Sequence, residues 1–202
     1  PDGVERKMMD WFLGSNWRVG RFPFLLWRAA RKVFGKLQTN GAKPRFTYGN
    51  WHGNDTIWRM CLDLNKIVSY GSADGSFREA SPENRKRHFV LVDGFISGEG
   101  RGPMNPDPVA AGLLVFGTNP PSVDASCAWL MGFDPETLPI VRQAFRIREF
   151  PLAEHGWRDV EVKSNVHEWN RKLPEIPDES TFHFKPHFGW KGAIERNSGV
   201  LA

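Results

Sequence analysis

At 202 residues, with 40% hydrophobic and 13% aromatic side chains, the chain is long enough for one sizeable core, and general disorder is not expected. Its two cysteines argue against a disulfide framework. No apolar run reaches the length of a bilayer and no signal peptide is visible, so a cytoplasmic location is expected.

The positive charge of the chain is concentrated at its N-terminus. Residues 1–50 hold ten Lys or Arg against three Asp or Glu, a net of +7, whereas the rest holds seventeen against twenty, a net of −3. We predict a basic helical arm over residues 1–46, in which Pro23 to Leu37 forms an amphipathic helix. Such a helix can contact an anionic membrane surface or an acidic partner, or it can be an ordinary packed helix with a solvated basic face. Nucleic-acid binding is not expected because no reader motif is present.

A second predicted helix begins after residue 53, with Asn54 or Asp55 as its N-cap. Its apolar spacing predicts a half-buried face made of Ile57, Met60, Cys61, Leu64, Ile67 and Val68. His52 and Asp55 lie before the first turn, where unpaired backbone N–H groups favour an anion. The alternative is that the polar residues there only cap the helix.

The central segment, residues 89–133, reads as strand, glycine-rich loop, strand and helix. Phe89 to Val92 is a short β-branched and aromatic run that suits a strand buried on both faces. We therefore expect an α/β fold with a mainly parallel or mixed sheet flanked by helices. Asp93 follows the first strand, and ligands of open α/β sheets bind at the carboxyl ends of strands.

The loop between the two strands combines glycines, charges and prolines. Glu99 and Arg101 alternate with Gly98, Gly100 and Gly102, and three prolines follow. Glycine lets the backbone approach a ligand closely, and proline stiffens the chain. This composition predicts a binding loop.

The second strand, Gly112 to Phe116, leads into a helix for which Asn119 is the expected N-cap and Pro120 the first residue. Asp124 lies in the first turn or just beyond it, where its charge suits the helix dipole. A further helix is predicted over Pro135 to Arg148. Beyond it, Arg158 to Val162 reads as an edge strand.

Residues 151–202 are expected to wrap around the domain that residues 47–150 form. His183 and His187 are four residues apart, but Pro186 argues against the helical geometry that a metal-binding pair of this spacing needs.

Two strings in this chain carry a resemblance to a known family. VDGFISGEGRGP and AGLLVFGTNPPSVDASCAWLMGFDPETLPIVRQAF, together with the upstream GNWHGNDTIWRMCLDLNKIV, resemble the domain-of-unknown-function 362 family over roughly residues 47–148. Some members of this family carry ferredoxin-type iron–sulfur modules. Because a cluster needs four ligands and only Cys61 and Cys127 are present, no cluster is expected here.

The resemblance also bears on the extent of the chain. The sequence begins Pro-Asp-Gly without an initiator methionine, and the family's N-terminal α/β half is not recognisable in it. We therefore expect the chain to belong to a longer polypeptide, with the N-terminal half or another subunit as a partner.

Three carboxylates, Asp93, Glu99 and Asp124, are the candidate catalytic residues and candidate ligands of a divalent metal such as Mg²⁺. Alternatively, Glu99 acts as a general base with a pKa raised by burial. In the structural alternative, Asp93 makes a turn, Glu99 pairs with an arginine, and Asp124 interacts with the dipole of its helix.

The leading functional hypothesis is an enzyme, or the C-terminal part of one, that acts on a small anionic substrate. Candidate substrate-binding residues are Arg101, Gly100, Gly102, His52 and Asp55. The competing hypothesis is a non-catalytic module that docks through its basic N-terminal helix.

Overall fold

The computed structural model describes residues 50–196, which fall within one unit spanning Phe46–Ala202. The predicted basic arm lies outside the described residues. No helix in the described part of the chain is long and apolar enough to cross a membrane. The main elements, in chain order, are α1 (Ile57–Tyr70), β1 (Val90–Gly94), β2 (Ser97–Glu99), β3 (Asp107–Val109), β4 (Leu113–Gly117), α2 (Pro120–Leu130) and α3 (Pro139–Ala144).

The fold is mixed α/β, but the expectation of a parallel or mixed sheet is wrong because the strands pair antiparallel. β1 pairs with β4, and β2 pairs with β3. The glycine-rich loop turns straight back on itself, and a direct return of this kind joins antiparallel strands, whereas parallel strands need a longer crossover. An extra residue on the returning side, next to Gly112 at φ 62°, shifts the register between the two ladders.

The β1–β4 ladder is half-buried on one face and exposed on the other, which corrects the expectation of burial on both. Leu91 and Phe116 lie opposite each other and remain 67% and 64% exposed. On the other face Gly117 approaches α2 so closely that an added Cβ would lie 2.5 Å from Val123. Because side chains alternate along a strand, one face packs inward and its apolar counterpart faces solvent.

Helix α1 forms where the apolar spacing predicts it, but a different face is buried. Leu62 packs with Ala144 and Leu152, and the hydroxyl of the fully buried Tyr70 donates to the carbonyl of Pro151. These contacts turn most of the predicted apolar face outward. More than half of each of the following side chains is exposed: Ile57, Met60, Leu64, Ile67 and Val68.

Helix α2 is the centre of the fold, and its predicted N-cap is confirmed. The side chain of Asn119 accepts from the backbone N–H of Ser122 at 3.0 Å, and its amide donates to the carbonyl of Leu152. Ala125 and Trp129 pack into one core cluster, with Trp157 and Leu173 among its members. A second cluster joins Ala128, Phe133, Phe184 and Ile194.

Helix α3 is shorter than predicted. Residues 134–137 form a turn in which Asp134 accepts the N–H of Glu136, and the helix begins only at Pro139. The C-terminal segment then returns across the end of α2. Phe184 donates its N–H to the carbonyl of Met131, and Arg196 donates to that of Gly132.

Gly132, where this crossing is closest, gives a first prediction. Its φ is 84°, and an added Cβ would lie 3.0 Å from the Cα of His183. Gly75 has nearly the same φ, 83°, but has no atom within 4 Å of such a Cβ. We expect Gly132→Ala to lower the free energy of unfolding by about 2–3 kcal/mol and Gly75→Ala by about 1 kcal/mol, as measured by urea denaturation. Equal losses would show that the contact with residue 183 is not tight.

Candidate functional site

Two adjoining hollows lie beside the glycine-rich loop. The first, of about 610 Å³, has Glu99, Asp124, Cys127 and Lys185 in its wall and is called the acidic hollow. The second, of about 800 Å³, is the apolar hollow, and its wall includes Trp58, Met104 and Phe188. The wall that the two hollows share includes Asn50, Gly102, Pro103, Leu138, His187 and Trp190.

Glu99 is held at the edge of the acidic hollow by Lys185. Its Oε1 lies 2.6 Å from the Nζ of Lys185, and its Oε2 accepts the backbone N–H of the same residue at 2.8 Å. The side chain of Glu99 is only 12% exposed, whereas that of Lys185 is 71% exposed. These bonds lower the pKa of Glu99, so the expectation of a base with a raised pKa is wrong.

Asp124 has no structural partner in the part of the chain that the structure describes. It is the fifth residue of α2, too far along for the first-turn contact with the helix dipole. No hydrogen bond or ion pair joins its carboxylate to another residue between 50 and 196. Asp124 is exposed to solvent at the rim of the hollow, and the protein atoms on its other sides raise its pKa by partial desolvation.

Cys127 lies one helical turn after Asp124 in the same wall. Burial and, second, the charge of Asp124 raise the pKa of its thiol to about 11. The thiol is therefore protonated at neutral pH and is not an activated nucleophile.

His187 is fixed at the wall common to both hollows. The indole N–H of Trp190 donates to Oδ1 of Asn50, which turns the amide Nδ2 of Asn50 towards Nε2 of His187 at 3.0 Å. Nδ1 of His187 lies 3.2 Å from the backbone N–H of Gly189. A neutral imidazole accepts at only one nitrogen, so only one of these two N–H groups can donate to it in a given tautomer.

Asp93 and Arg101 lie outside both hollows. Asp93 accepts the N–H of Phe95 at 3.2 Å, which is the turn contact of the structural alternative, and its side chain is on the solvent face of β1. Arg101 lies 3.6 Å from Asp107, and both side chains are exposed.

The proposed metal site of Asp93, Glu99 and Asp124 is not assembled. Among residues 50–196 no three His, Cys, Asp or Glu side chains come close enough to hold an ion. The physical reason is that Asp93 is hydrogen-bonded within its turn and both carboxylate oxygens of Glu99 contact Lys185.

The residues before α1 are also engaged elsewhere. Asp55 pairs with Arg59 at 2.6 Å and accepts from the indole of Trp58, and its pKa is lowered chiefly by Arg59. The ring of His52 meets that of Trp190 edge to face at 5.9 Å. The N-cap is Thr56, without a side-chain cap bond, so the expectation that Asn54 or Asp55 caps the helix is wrong.

The structure therefore brings together Glu99, Gly100, Gly102 and Asp124 of the predicted site and adds five residues from the C-terminal segment, among them a lysine, a histidine and a tryptophan. Lys185, His187 and Trp190 were missed as site residues. The signal that could have found them is the interleaving of basic and aromatic residues in FHFKPHFGW, residues 182–190.

Comparison with known proteins gives one match. The family model described as Domain of unknown function (DUF362) matches residues 33–129. No curated protein and no solved structure matches the chain. The matched segment contains the glycine-rich loop, Glu99, Asp124 and Cys127, but it ends before Lys185 and His187. Through residues 33–129, the chain belongs to the domain-of-unknown-function 362 family.

Proposed function

We propose that the acidic hollow is the active site of an enzyme, or of the C-terminal part of one, in which Asp124 is the general acid or base. The observation that supports this most is the carboxylate of Asp124, which lies beside the glycine-rich loop, has no partner among residues 50–196 and has a pKa raised by partial desolvation. A carboxyl group tuned in this direction can transfer a proton closer to neutral pH than an ordinary aspartate.

Glu99 takes a different role in this proposal. Because both of its oxygens contact Lys185, it is a fixed anion that positions the lysine and the loop. The two carboxylates of the hollow have pKa values that move in opposite directions, and such a divergence separates a proton-transfer group from a structural charge.

The walls also indicate the substrate class. Lys185 keeps a well-exposed ammonium group at the hollow, and Glu99 raises its pKa, so it stays charged at neutral pH. The adjoining apolar hollow is large enough for an aliphatic or aromatic portion of a ligand. The substrate in this proposal is an organic carboxylate or phosphate with an apolar body. This class is narrower than the small anion expected from the sequence.

Binding of such anions can be tested by ligand-observed NMR. Phenylacetate, octanoate and phenyl phosphate serve as probes, with neutral phenylacetamide for comparison. We expect Lys185→Ala to weaken binding of the anionic probes about tenfold and Lys191→Ala, an exposed lysine outside both hollows, to leave it unchanged. Equal affinity of the two variants would contradict the proposed anion contact.

Proton transfer is tested separately with phenylpyruvate, an organic anion with an apolar body, by following its benzylic protons in D₂O. The neighbouring ketone makes these protons acidic because it takes up the negative charge as an enolate, and the wild-type chain is expected to speed their exchange. Asp124→Asn should slow this exchange about 100-fold or more without a comparable loss of probe binding. Undiminished exchange in Asp124→Asn would remove Asp124 from the catalytic role.

Stability carries a second signature of Asp124. Because folding raises the pKa of Asp124, its protonated form stabilises the folded state. This stabilisation is complete below the ordinary pKa of 3.8 and is lost as the pH rises through the pKa of the folded state. Because solvent screens this exposed carboxylate, we expect Asp124→Asn to raise the melting temperature at pH 7 by at most about 1 °C and to change it little at pH 3. Asp93→Asn, which keeps the turn acceptor, is the matched control. Scanning calorimetry that shows destabilisation by Asp124→Asn at pH 7 would refute the partial desolvation of the charge.

Cys127 reports on the charge of Asp124. In a Cys61→Ser background, the rate of alkylation by iodoacetamide at pH 9 measures the thiolate fraction of Cys127. Removing the neighbouring negative charge lowers the thiol pKa, so Asp124→Asn should raise this rate about two- to tenfold. Asp93→Asn should leave it unchanged. An unaltered rate in Asp124→Asn would place the carboxylate away from the thiol.

A further inference from the structure

The amide of Asn50 and the ring of His187 form a group with more N–H donors than acceptors. The indole N–H of Trp190 donates to the amide oxygen of Asn50, so the amide nitrogen points away from Trp190. That nitrogen faces Nε2 of His187 at 3.0 Å, and the backbone N–H of Gly189 faces Nδ1 at 3.2 Å. A neutral imidazole carries one hydrogen itself, so in either tautomer one ring N–H faces another N–H.

The two sides of the His187 ring differ in their access to a ligand. Asn50 and His187 both lie in the wall that the two hollows share, whereas Gly189 lies in neither wall. The chain packs tightly at Gly189, because an added Cβ there would overlap the carbonyl of Asn50 and its own carbonyl accepts the N–H of His52 at 2.9 Å. A ligand therefore selects the tautomer that keeps the bond from Gly189 to Nδ1 and carries its hydrogen on Nε2.

In that tautomer two N–H donors stand side by side at the shared wall. They are Nδ2 of Asn50 and Nε2 of His187, 3.0 Å apart, so one ligand oxygen can lie within hydrogen-bond distance of both. Trp190 orients the amide and Gly189 orients the ring before any ligand binds. Two preoriented N–H groups aimed at one oxygen stabilise the negative charge that develops on it.

We propose that Asn50 and His187 bind the ketone oxygen of an oxo acid, an inference that rests on the proposed function and narrows its substrate class. Lys185, two residues before His187 and in the wall of the acidic hollow, contacts the carboxylate. The apolar body of the substrate lies in the apolar hollow. A hydroxyl or amine in place of the ketone would not collect negative charge and would gain less from the two donors.

The same contact completes the proton transfer. Asp124, in the wall of the acidic hollow, takes the proton from the carbon beside the ketone. The electron pair of the broken C–H bond moves to the ketone oxygen, and the N–H groups of Asn50 and His187 hold the resulting enolate. Return of a proton or deuteron from Asp124 to the carbon restores the ketone, so no other reactant is consumed.

A pair of matched acids isolates the ketone contact. Phenylpyruvate and 3-phenylpropanoate share the carboxylate and the phenyl group, and only the first has the ketone. In ligand-observed NMR we expect the wild-type chain to prefer phenylpyruvate about tenfold. Asn50→Leu and His187→Phe should abolish this preference and change the affinity for 3-phenylpropanoate by less than about twofold, since neither donor contacts that acid. His187→Gln, whose amide also donates an N–H, should retain most of it.

Equal affinity of the wild-type chain for the two acids overturns the inference, and so does a preference that survives both Asn50→Leu and His187→Phe. A measurement without substitution uses ¹⁵N NMR of the imidazole. With phenylpyruvate bound, the hydrogen of His187 is expected on Nε2. A hydrogen on Nδ1 alone would overturn the contact.

Deuterium exchange separates this inference from the proposed function. At saturating phenylpyruvate, Asn50→Leu and His187→Phe should slow benzylic exchange about 100-fold. Exchange that depends on Asp124 but not on Asn50 or His187 would leave the proposed function in place and overturn this inference. A ketone preference without exchange in the wild-type chain would support the ketone contact and contradict the proposed enzyme. Asp124→Asn should keep the preference, because Asp124 does not touch the ketone oxygen.

Discussion

The contact between Glu99 and Lys185 is the constraint on which the site depends. It joins the end of β2 to the C-terminal segment by an ion pair at 2.6 Å and a backbone-to-carboxylate bond at 2.8 Å. A third bond runs from the N–H of Gly100 to the carbonyl of Lys185. The start of the glycine-rich loop is thus fixed to the C-terminal segment. The same contact occupies Glu99, whereas Asp124 is the carboxylate of the hollow that has no partner within residues 50–196.

The hollow is assembled from two parts of the chain that differ in their relation to the family. Glu99 and Asp124 lie in the segment that matches the family, whereas Lys185, His187 and Trp190 lie beyond it. Lys185, His187 and Trp190 are therefore contributed by the segment outside the matched region. Under the proposed function, a change in that segment alters which ligand is bound and leaves the proposed proton-transfer residue in place.

Local features could be predicted from the sequence because the forces that produce them act over a few residues. The cap at Asn119 is an example, since an amide oxygen, a proline and free N–H groups lie within four positions. Pairing direction could not be predicted, because a loop rich in glycine and proline is compatible with either a hairpin or a crossover. The buried face of α1 was also beyond reach, since Tyr70 and Leu62 are placed by residues 81 and 90 positions away, Pro151 and Leu152. The partner of Glu99 lies 86 positions along the chain, and no local pattern specifies it.

The central claim is that the two carboxylates of the hollow are tuned in opposite directions by Lys185 and by burial. One ¹³C NMR titration of the side-chain carboxyl groups, assigned with Glu99→Gln and Asp124→Asn, measures both. The account predicts that Glu99 titrates below 4.5 and Asp124 above 3.8, the ordinary values for the two residue types. A pKa of Asp124 at or below 3.8, together with a pKa of Glu99 at or above 4.5, would contradict the account.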